Sequence, residues 1–265
     1  MTTESNDRWL AGDAYEAYMG RWSRPLGRAF VEWLHPSASD HWLEVGCGTG
    51  ALTASICELG APASVVACDP SQPFIEHALE QADPRVSFVV AGAESLPRRV
   101  GGFDVAVSGL VLNFLADPGE ALAALRERLR PGGGVAAYVW DYAEGMEFLR
   151  GFWEEAVACD PGAAALAEGR RFPLCAPAAL ASLFETAGLA RVETAALEIA
   201  TRFADFDDYW APFLRGTGPA PAYVGSLTPA AREALRERLA RRLLPGADGR
   251  LHLRARAWAV RGVSG

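Results

Sequence analysis

The residues best placed to do chemistry lie between positions 44 and 50. Glu44 stands near the end of an apolar run, and three glycines follow at alternate positions, Gly46, Gly48 and Gly50. Glycines at this spacing allow a tight turn that brings bare backbone against a ligand, with the amides of a following helix behind it. A second apolar run ends at Asp69, where a nucleoside-binding α/β unit keeps a carboxylate for ribose hydroxyls. The sequence therefore predicts a nucleoside site at these two turns.

The glycine spacing alone leaves two ligands open. Gly46, Gly48 and Ala51 satisfy the pattern of a dinucleotide-binding turn, so NAD is one candidate. Glu44 favours S-adenosylmethionine instead, because its carboxylate could take the ligand's amino group directly or through water. A pyrophosphate-binding turn has no use for an acid at that position. The glycines also begin well inside the chain, behind a predicted helix, whereas dinucleotide domains commonly open with them.

Five segments carry a resemblance to a known family. They are similar, in the correct order, to motifs of the class I S-adenosylmethionine-dependent methyltransferases, of the small-molecule type related to quinone-biosynthesis enzymes: 44–50, 66–71, 103–108, 110–114 and 129–133. The resemblance covers residues 15 to about 134 well and the remainder loosely. It implies an α/β, doubly wound, Rossmann-like fold with a seven-stranded, mostly parallel sheet and helical cap insertions.

The resemblance also implies a set of cofactor contacts. Asp69 would hold both ribose hydroxyls, and the backbone and side chains near Glu44 would meet the methionine end. The further contacts are Cys47, a small filler to which no chemistry is assigned, Pro70 and Ser71 at the border of the adenine, Ala93 and Glu94 near its amino edge, and Ser108 near the methionine moiety. The position before Ala93 is often an aspartate in the family and is Gly92 here. That adenine contact must therefore come from Glu94, from backbone or from water.

An amino-terminal lid is a further expectation. The segment 15–22 looks like the lid of such enzymes, in which a tyrosine and an arginine reach the cofactor carboxylate, and Tyr15 and Arg21 are the candidates. The alternative is a surface helix whose aromatic side chains pack on the core.

No single residue stands out as the catalyst. Methyl transfer depends mainly on alignment of the reactants, and a dedicated base adds less. Asp141 and Tyr142 follow the fifth predicted strand and could orient or deprotonate a hydroxyl, and Asn113 after the fourth could hydrogen-bond a substrate oxygen. For Asp141 the alternative is a helix cap or a turn, and for Asn113 it is packing or capping. The four histidines are expected to be structural.

Aromatic residues crowd the part of the chain beyond position 139. Small-molecule pockets are largely apolar with a few fixed polar groups, so this density predicts a substrate pocket for a hydrophobic or aromatic acceptor. The alternative is that these rings form the core beneath a cap. The candidates for the pocket are Trp140, Phe148, Phe152, Trp210 and Phe213.

Apolar periodicity and helix-stop signals predict alternating elements in one domain. The domain has a cofactor-binding core at 1–141, with the lid at about 1–25, and the rest at 142–265 holds the helical substrate cap and the final strands. Strands are predicted at 42–45, 64–68, 86–90, 103–108, 134–140, 192–201 and 251–260. Helices are predicted at 26–34, 52–59, 73–81, 118–129, 146–159, 178–187 and 229–243. Loops are predicted at 217–221 and 223–227.

The amino-acid composition excludes some classes of binding partner and of chemistry. The formal net charge is −8 and all 25 basic residues are arginine, so nucleic acid is not expected as the main partner, and chemistry that needs a lysine, such as a Schiff base, is excluded. The arginine-rich tail alternates with glutamates and is expected to be a solvated, ion-paired helix face. Five scattered cysteines without a C-x-x-C pair predict neither disulfides nor a metal centre. A polar amino terminus and the lack of long apolar runs predict a cytoplasmic protein without a membrane partner, monomeric or homodimeric.

The sequence thus predicts methylation of an oxygen or nitrogen of a small molecule, with S-adenosylmethionine as cofactor. Three alternatives remain at this stage. The fold could bind the cofactor while catalysing a rearrangement or acting as a regulator, it could methylate a macromolecule, or it could be an NAD-dependent oxidoreductase. The residues 108–114 lack the Asn/Asp-Pro-Pro-aromatic loop of nucleic acid amino-methyltransferases.

Overall fold

A computed structural model describes residues 20–80, 83–215 and 218–265. The described residues fall into two compact units. The unit called here the sheet unit comprises Ser23–Val139, Leu174–Leu197 and Ala257–Gly265. The unit called here the helical unit comprises the residues up to Trp22, together with Trp140–Pro173 and Glu198–Arg256. The expectation of one domain divided near residue 141 remains a prediction.

The sheet unit contains residues of seven strands. In chain order the strands are His41–Val45 (β1), Ser64–Asp69 (β2), Val86–Val90 (β3), Phe103–Gly109 (β4), Leu129–Trp140 (β5), Leu189–Phe203 (β6) and Leu251–Ser264 (β7). Their order in the sheet is β3-β2-β1-β4-β5-β7-β6. The pairs β1–β2, β1–β4, β2–β3 and β4–β5 are all parallel. The sequence prediction of a doubly wound α/β fold with seven strands is confirmed.

Helices alternate with the strands along the sheet unit and dominate the helical unit. In chain order they are Arg21–Leu34 (α1), Ala51–Leu59 (α2), Gln72–Leu79 (α3), Pro118–Arg126 (α4), Glu147–Cys159 (α5), Glu168–Arg171 (α6), Pro177–Thr186 (α7), Phe206–Arg215 (α8), Pro219–Ser226 (α9) and Pro229–Arg242 (α10). Among the helices that the structure describes, none is both long and apolar enough to cross a membrane.

The strand order changes direction between β1 and β4, and this point fixes where a ligand can bind. The chain leaves β1 and moves outward to β2 and β3, then returns to the other side of β1 with β4 and β5. In open parallel sheets, ligands bind at the carboxyl ends of the strands at such a switch point. The turn after β1 carries the glycines, so the fold places them at this crevice.

The core of the sheet unit consists of apolar side chains from the central strands and the helices that cover them. Leu43 on β1 and Phe103 on β4 are fully buried. Leu26 and Phe30 lie one helical turn apart on α1, and both are fully buried, as expected for an amphipathic helix that covers a sheet. These contacts hold β1 and β4, and therefore the turns that follow them, in fixed positions.

The start of β5 differs from the sequence prediction. The predicted helix 118–129 ends at Arg126, and the strand predicted at 134–140 begins at Leu129. Its pairing with β4 passes from Phe103–Leu129 to Val105–Gly134, with an irregularity between them. Pro131 and the glycines after it lie in this bulge, where proline and glycine are tolerated in a strand. These residues therefore interrupt the pairing of β5 with β4 locally, and β5 begins before them, at Leu129.

The segments 217–221 and 223–227, predicted as loops, were the other error. The structure has the helix α9 at Pro219–Ser226, and Thr217 lies outside the described residues. Pro219 and Pro221 suggested a loop because proline disrupts helix interiors. Both stand in the first turn of α9, where the backbone N–H groups have no partner inside the helix and proline causes no loss.

Candidate active site

The turn after β1 combines three glycines in left-handed backbone conformations. Gly46, Gly48 and Gly50 have φ angles of 75°, 53° and 89°. The N–H groups of Gly46 and Cys47 both donate to the carbonyl oxygen of Cys68 on β2, at 2.8 and 3.0 Å. These bonds fix the turn against the neighbouring strand. Because only glycine adopts such φ angles at little cost, the glycine pattern read from the sequence has a direct conformational reason.

Two of these glycines differ in their surroundings. A Cβ atom added at Gly46 would collide with a methyl group of Val111, so the absence of a side chain there serves packing. A Cβ atom added at Gly48 would meet nothing within 4 Å. The backbone at Gly48 therefore borders open space, as a turn that accepts a ligand against bare backbone requires.

Asp69 connects the turns after β1 and β2. One carboxylate oxygen accepts a hydrogen bond from the N–H of Gly48 at 3.0 Å, and the other accepts from the N–H of Ser71 at 2.9 Å. Burial raises the pKa of this carboxyl group, and the two N–H donors oppose that shift. Each carboxylate oxygen has a second lone pair. Asp69 can therefore accept further hydrogen bonds from a ligand's hydroxyl groups while it holds both turns.

Glu44 is a buried acid directly behind the glycine turn. It is 1% exposed, and one of its carboxylate oxygens accepts from the Thr53 hydroxyl at 2.6 Å. Burial is the main cause that raises the pKa of Glu44 to about 7, with the nearby charge of Asp69 adding to it and the Thr53 hydrogen bond opposing it. The acid therefore gains or loses its proton near neutral pH. A cationic amino group near this carboxylate would favour its charged form.

The turn after β3 supplies the third part of the site. The N–H of Ala91 donates to the Asp69 carbonyl at 3.1 Å, which ties the end of β3 to the end of β2. A short 3₁₀ helix follows at Ala93–Ser95. The carboxylate of Glu94 occupies the space that a side chain at Gly92 would fill. An acid is therefore present where the family often has an aspartate, although it is supplied from two positions further along the chain.

The remaining predicted contacts of the sheet unit lie at the same strand ends. Ser108 is buried near the end of β4, and its hydroxyl donates to the Val45 carbonyl at 3.0 Å. Pro70 and Ser71 form the turn after β2, with Ser71 preceding α3. The thiol of Cys47 is buried, and burial, followed by the charges of Glu44 and Asp69, raises its pKa. The neutral thiol agrees with the absence of any assigned chemistry.

Asn113 lies in the sheet unit just after β4. It belongs to the short 3₁₀ helix Leu112–Phe114. Its side-chain nitrogen is buried and has no hydrogen-bond partner among the residues that the structure describes. A buried unpaired donor is costly, and Leu110, three residues earlier, has an unusual positive φ of 62°. Backbone strain and an unsatisfied donor in one loop are frequent at functional sites.

Asp141 and Tyr142 belong to the helical unit. Asp141 is 3% exposed. Its carboxylate accepts hydrogen bonds from the Nε–H of Arg256 at 2.8 Å and from the backbone N–H of Glu144 at 3.1 Å. Its oxygens are therefore engaged by an arginine and by its own turn. The ring of Tyr142 packs against that of Phe172, with the centroids 5.5 Å apart. A catalytic role for either residue remains a prediction.

The aromatic residues predicted for the substrate pocket form the interior of the helical unit. Phe152 and Phe213 stack with centroids 4.6 Å apart and an angle of 6° between the rings. The hydroxyl of Tyr209 donates to the Phe148 carbonyl at 3.0 Å. All five candidates are at most 4% exposed: Trp140, Phe148, Phe152, Trp210 and Phe213. They hold this unit together, and direct contact with an acceptor remains a prediction.

Arg21, one of the two lid candidates, also lies in the helical unit. Its guanidinium binds the Asp208 carboxylate at 2.9 and 3.1 Å and lies 4.6 Å from the ring centroid of Trp22. Tyr15 lies outside the described residues. The lid contacts to a cofactor therefore remain predictions.

Sequence reasoning missed two partners of the site residues. Thr53 lies in the first turn of α2, and its hydroxyl donates to Glu44, nine residues earlier in the chain. The sequence could have predicted this contact, because a helix that starts directly after the glycine turn brings its first turn close to the end of β1. Arg256 bonds to Asp141 across 115 residues. No local signal predicts that pair, because it depends on which strands become neighbours.

Turns at the switch point of a doubly wound sheet are typical of α/β proteins that bind a ligand there, nucleoside-containing cofactors among them. Residues 43–137 match the family model described as a methyltransferase domain. Over these residues the chain is similar to the class I S-adenosylmethionine-dependent methyltransferases. The match also decides between the two ligands that the glycine spacing left open, in favour of S-adenosylmethionine.

Two similar proteins illustrate the match. An uncharacterized methyltransferase of Mycobacterium tuberculosis is 33% identical over 143 residues, which are 53% of this chain and 56% of that protein. The ubiquinone biosynthesis O-methyltransferase of Albidiferax ferrireducens is 32% identical over 116 residues, which are 42% of this chain and 45% of that one. The chain thus spans about half the length of these relatives.

Similarity to solved structures extends further along the chain. A phosphoethanolamine N-methyltransferase of Haemonchus contortus, solved in complex with S-adenosylhomocysteine, superimposes with a TM-score of 0.56. The sequence identity is 16%, and the superposition covers 96% of this chain and 56% of that one. At this sequence identity, the likeness shows only that the two proteins share a fold.

Proposed function

We propose that the protein transfers a methyl group from S-adenosylmethionine to an oxygen or nitrogen of a small hydrophobic or aromatic molecule. The observation that carries this proposal is the arrangement around Asp69. Its carboxylate joins the glycine turn to the turn after β2 through the N–H groups of Gly48 and Ser71. The methyltransferase match over residues 43–137 supplies the reaction class.

The residues of the sheet unit fit this cofactor. Asp69 would accept the two ribose hydroxyls, and the open space beside Gly48 would receive the ligand against bare backbone. Glu44 would take the amino group, since its buried carboxylate gains most from a cationic partner. Glu94 would accept from the adenine amino group, because its carboxylate lies over Gly92.

The cofactor supplies a methyl group on a positively charged sulfonium, and the protein's contribution is mainly alignment. Orienting two reactants for an in-line displacement can lower the barrier by about 7–11 kcal/mol. A positioned base typically adds a factor of about 10²–10⁴. The Asp141 carboxylate is engaged by Arg256, whereas the amide nitrogen of Asn113 is unpaired within the described part of the chain. We therefore favour Asn113 as a donor that positions the acceptor oxygen.

Two observations support a small acceptor. One of the similar proteins is named as a ubiquinone biosynthesis O-methyltransferase. The net charge of −8 disfavours a nucleic acid acceptor. The aromatic interior of the helical unit would give that unit an apolar character suited to a hydrophobic acceptor.

A methyl-transfer assay with a mixed acceptor panel tests the proposal. The purified protein is incubated with S-adenosylmethionine and catechols, carboxylic acids, amines, transfer RNA or denatured protein, each in a separate reaction. We expect S-adenosylhomocysteine and a small product heavier by one methylene group. Asp69→Ala protein, prepared in the same way, controls for contaminating enzymes. Methylation of RNA or protein alone, or tight cofactor binding with an acceptor rearranged at unchanged mass, would contradict the proposal.

A further inference from the structure

The sheet unit contains a cavity that is separate from the glycine turn. Its volume is about 360 Å³. Trp42 and Val105, which stand near the beginnings of the parallel strands β1 and β4, contribute to its lining. The glycine turn follows the other end of β1, and Asp69 is the last residue of the neighbouring parallel strand β2. The cavity therefore cannot be an extension of the nucleoside site.

Most of the side chains that line this cavity are apolar. Val105, Val135 and Leu34 supply aliphatic side chains. Trp42 also contributes to the lining and is fully buried.

The lining also includes charged side chains. Arg261 is already paired, because it donates to the Glu193 carboxylate at 2.7 and 3.0 Å and lies 4.8 Å from the ring centroid of Trp33. Arg191 also lines the cavity, yet it has no ion pair or hydrogen bond of its side chain with any described residue. Its φ of 53° is unusual for a residue that is not glycine. The unpaired charge of the cavity is thus positive.

We propose that this cavity binds a small carboxylate with an apolar tail. The carboxylate would pair with Arg191, since a guanidinium matches carboxylate geometry. The tail would lie against Val105 and Val135. A cationic ligand would meet Arg191 and Arg261 instead and is disfavoured.

Two glycines allow the cavity to be filled deliberately. Gly134 and Gly262 both line it. A Cβ atom added at Gly134 would meet only the Gly262 carbonyl oxygen, at 3.8 Å. A larger side chain at 134 therefore has room to enter the cavity without displacing backbone, and Gly134→Leu is a blocking variant.

Calorimetric titration with octanoate, octylamine and octanol tests the proposal on the full chain without cofactor. We expect one octanoate per chain with a submillimolar Kd, and no measurable binding of octylamine. Arg191→Gly should weaken octanoate binding at least tenfold. Glycine accepts the positive φ, so this variant should fold at least as well as the parent protein. Arg98→Ala, which removes another exposed arginine of the sheet unit, should bind octanoate as the parent does.

Gly134→Leu should abolish octanoate binding while its circular dichroism spectrum stays unchanged. If that variant fails to fold, Arg191→Gly alone decides. The proposal is overturned if octanoate shows no saturable binding, if octylamine binds as tightly as octanoate, or if Arg191→Gly binds octanoate like the parent protein.

Discussion

At the scale of single residues, the surroundings of two acids at neighbouring strand ends shift their pKa values differently. Asp69 is held by two backbone N–H groups that favour its charged form. Glu44 has a hydroxyl partner in Thr53 and is more deeply buried. Burial raises the pKa of both carboxyl groups, and for Glu44 the value reaches about 7. Glu44 is therefore the group whose charge changes near neutral pH.

This shift makes stability depend on pH in a defined direction. The pKa of Glu44 is about 7 in the folded protein, above its ordinary value of 4.5. The folded state therefore holds the proton more tightly, and the associated stability is complete below pH 4.5 and lost as pH rises through 7. Relative to Glu44→Gln, the free energy of unfolding of the parent should fall by about 2 kcal/mol between pH 5 and 8.

Urea unfolding of both proteins at the two pH values measures that difference. Other titrating groups are shared by the two proteins and cancel in the comparison to first order. Glu32→Gln, which removes an exposed acid on α1, should run parallel to the parent at both pH values. A constant difference between the parent and Glu44→Gln would show that Glu44 is already charged at pH 5.

At the scale of elements, the glycine turn depends on packing as well as on conformation. Gly46 faces Val111, in the loop after β4, and Gly48 faces open space. The turn after β1 is thus shaped from one side by the loop after β4, while its other side remains available. The ends of β1 and β4 are important for the site, because the glycine turn and the loop that contains Val111 begin where these two buried strands end.

Substitutions at the two glycines should therefore have unequal effects. Gly48→Ala meets no atom, so it should lower the free energy of unfolding only by the roughly 1–2 kcal/mol of a left-handed alanine. Gly46→Ala should cost more, because its Cβ collides with Val111. Val111→Ala should recover part of that excess, with an interaction energy of about 1 kcal/mol or more in the double-mutant cycle. Chemical denaturation of the parent, the three single variants and the double variant measures these values. Strict additivity would mean that Val111 does not shape the turn.

The same elements show what a sequence can and cannot predict. The glycine turn and the Asp69 turn were predictable because each is a local pattern with a local conformational cause. The bulge that contains Pro131 was not, since it arises from the pairing of β5 with β4. The helix α9 was missed because prolines in a first turn resemble loop prolines. The pair of Asp141 and Arg256 depends on contacts across 115 residues.

At the scale of the whole molecule, the two units differ in the features they contain. The sheet unit carries the nucleoside turns, whose order along the chain allowed the class to be predicted. The helical unit has an interior of stacked aromatic rings, such as Phe152 and Phe213, and aromatic density alone could not distinguish such an interior from a pocket lining. Acceptor identity therefore has to be found by assay, whereas cofactor binding can be tested directly.

Titration of the protein with S-adenosylhomocysteine in a calorimeter is the most direct test of the central claim. We expect one molecule to bind per chain with a micromolar Kd, and NADH to give no signal under the same conditions. Asp69→Ala should weaken the binding of S-adenosylhomocysteine at least tenfold, about 1.4 kcal/mol, while Glu120→Ala, an exposed acid on α4, should not change it. Binding of NADH in place of S-adenosylhomocysteine, or an unchanged affinity in Asp69→Ala, would contradict the account.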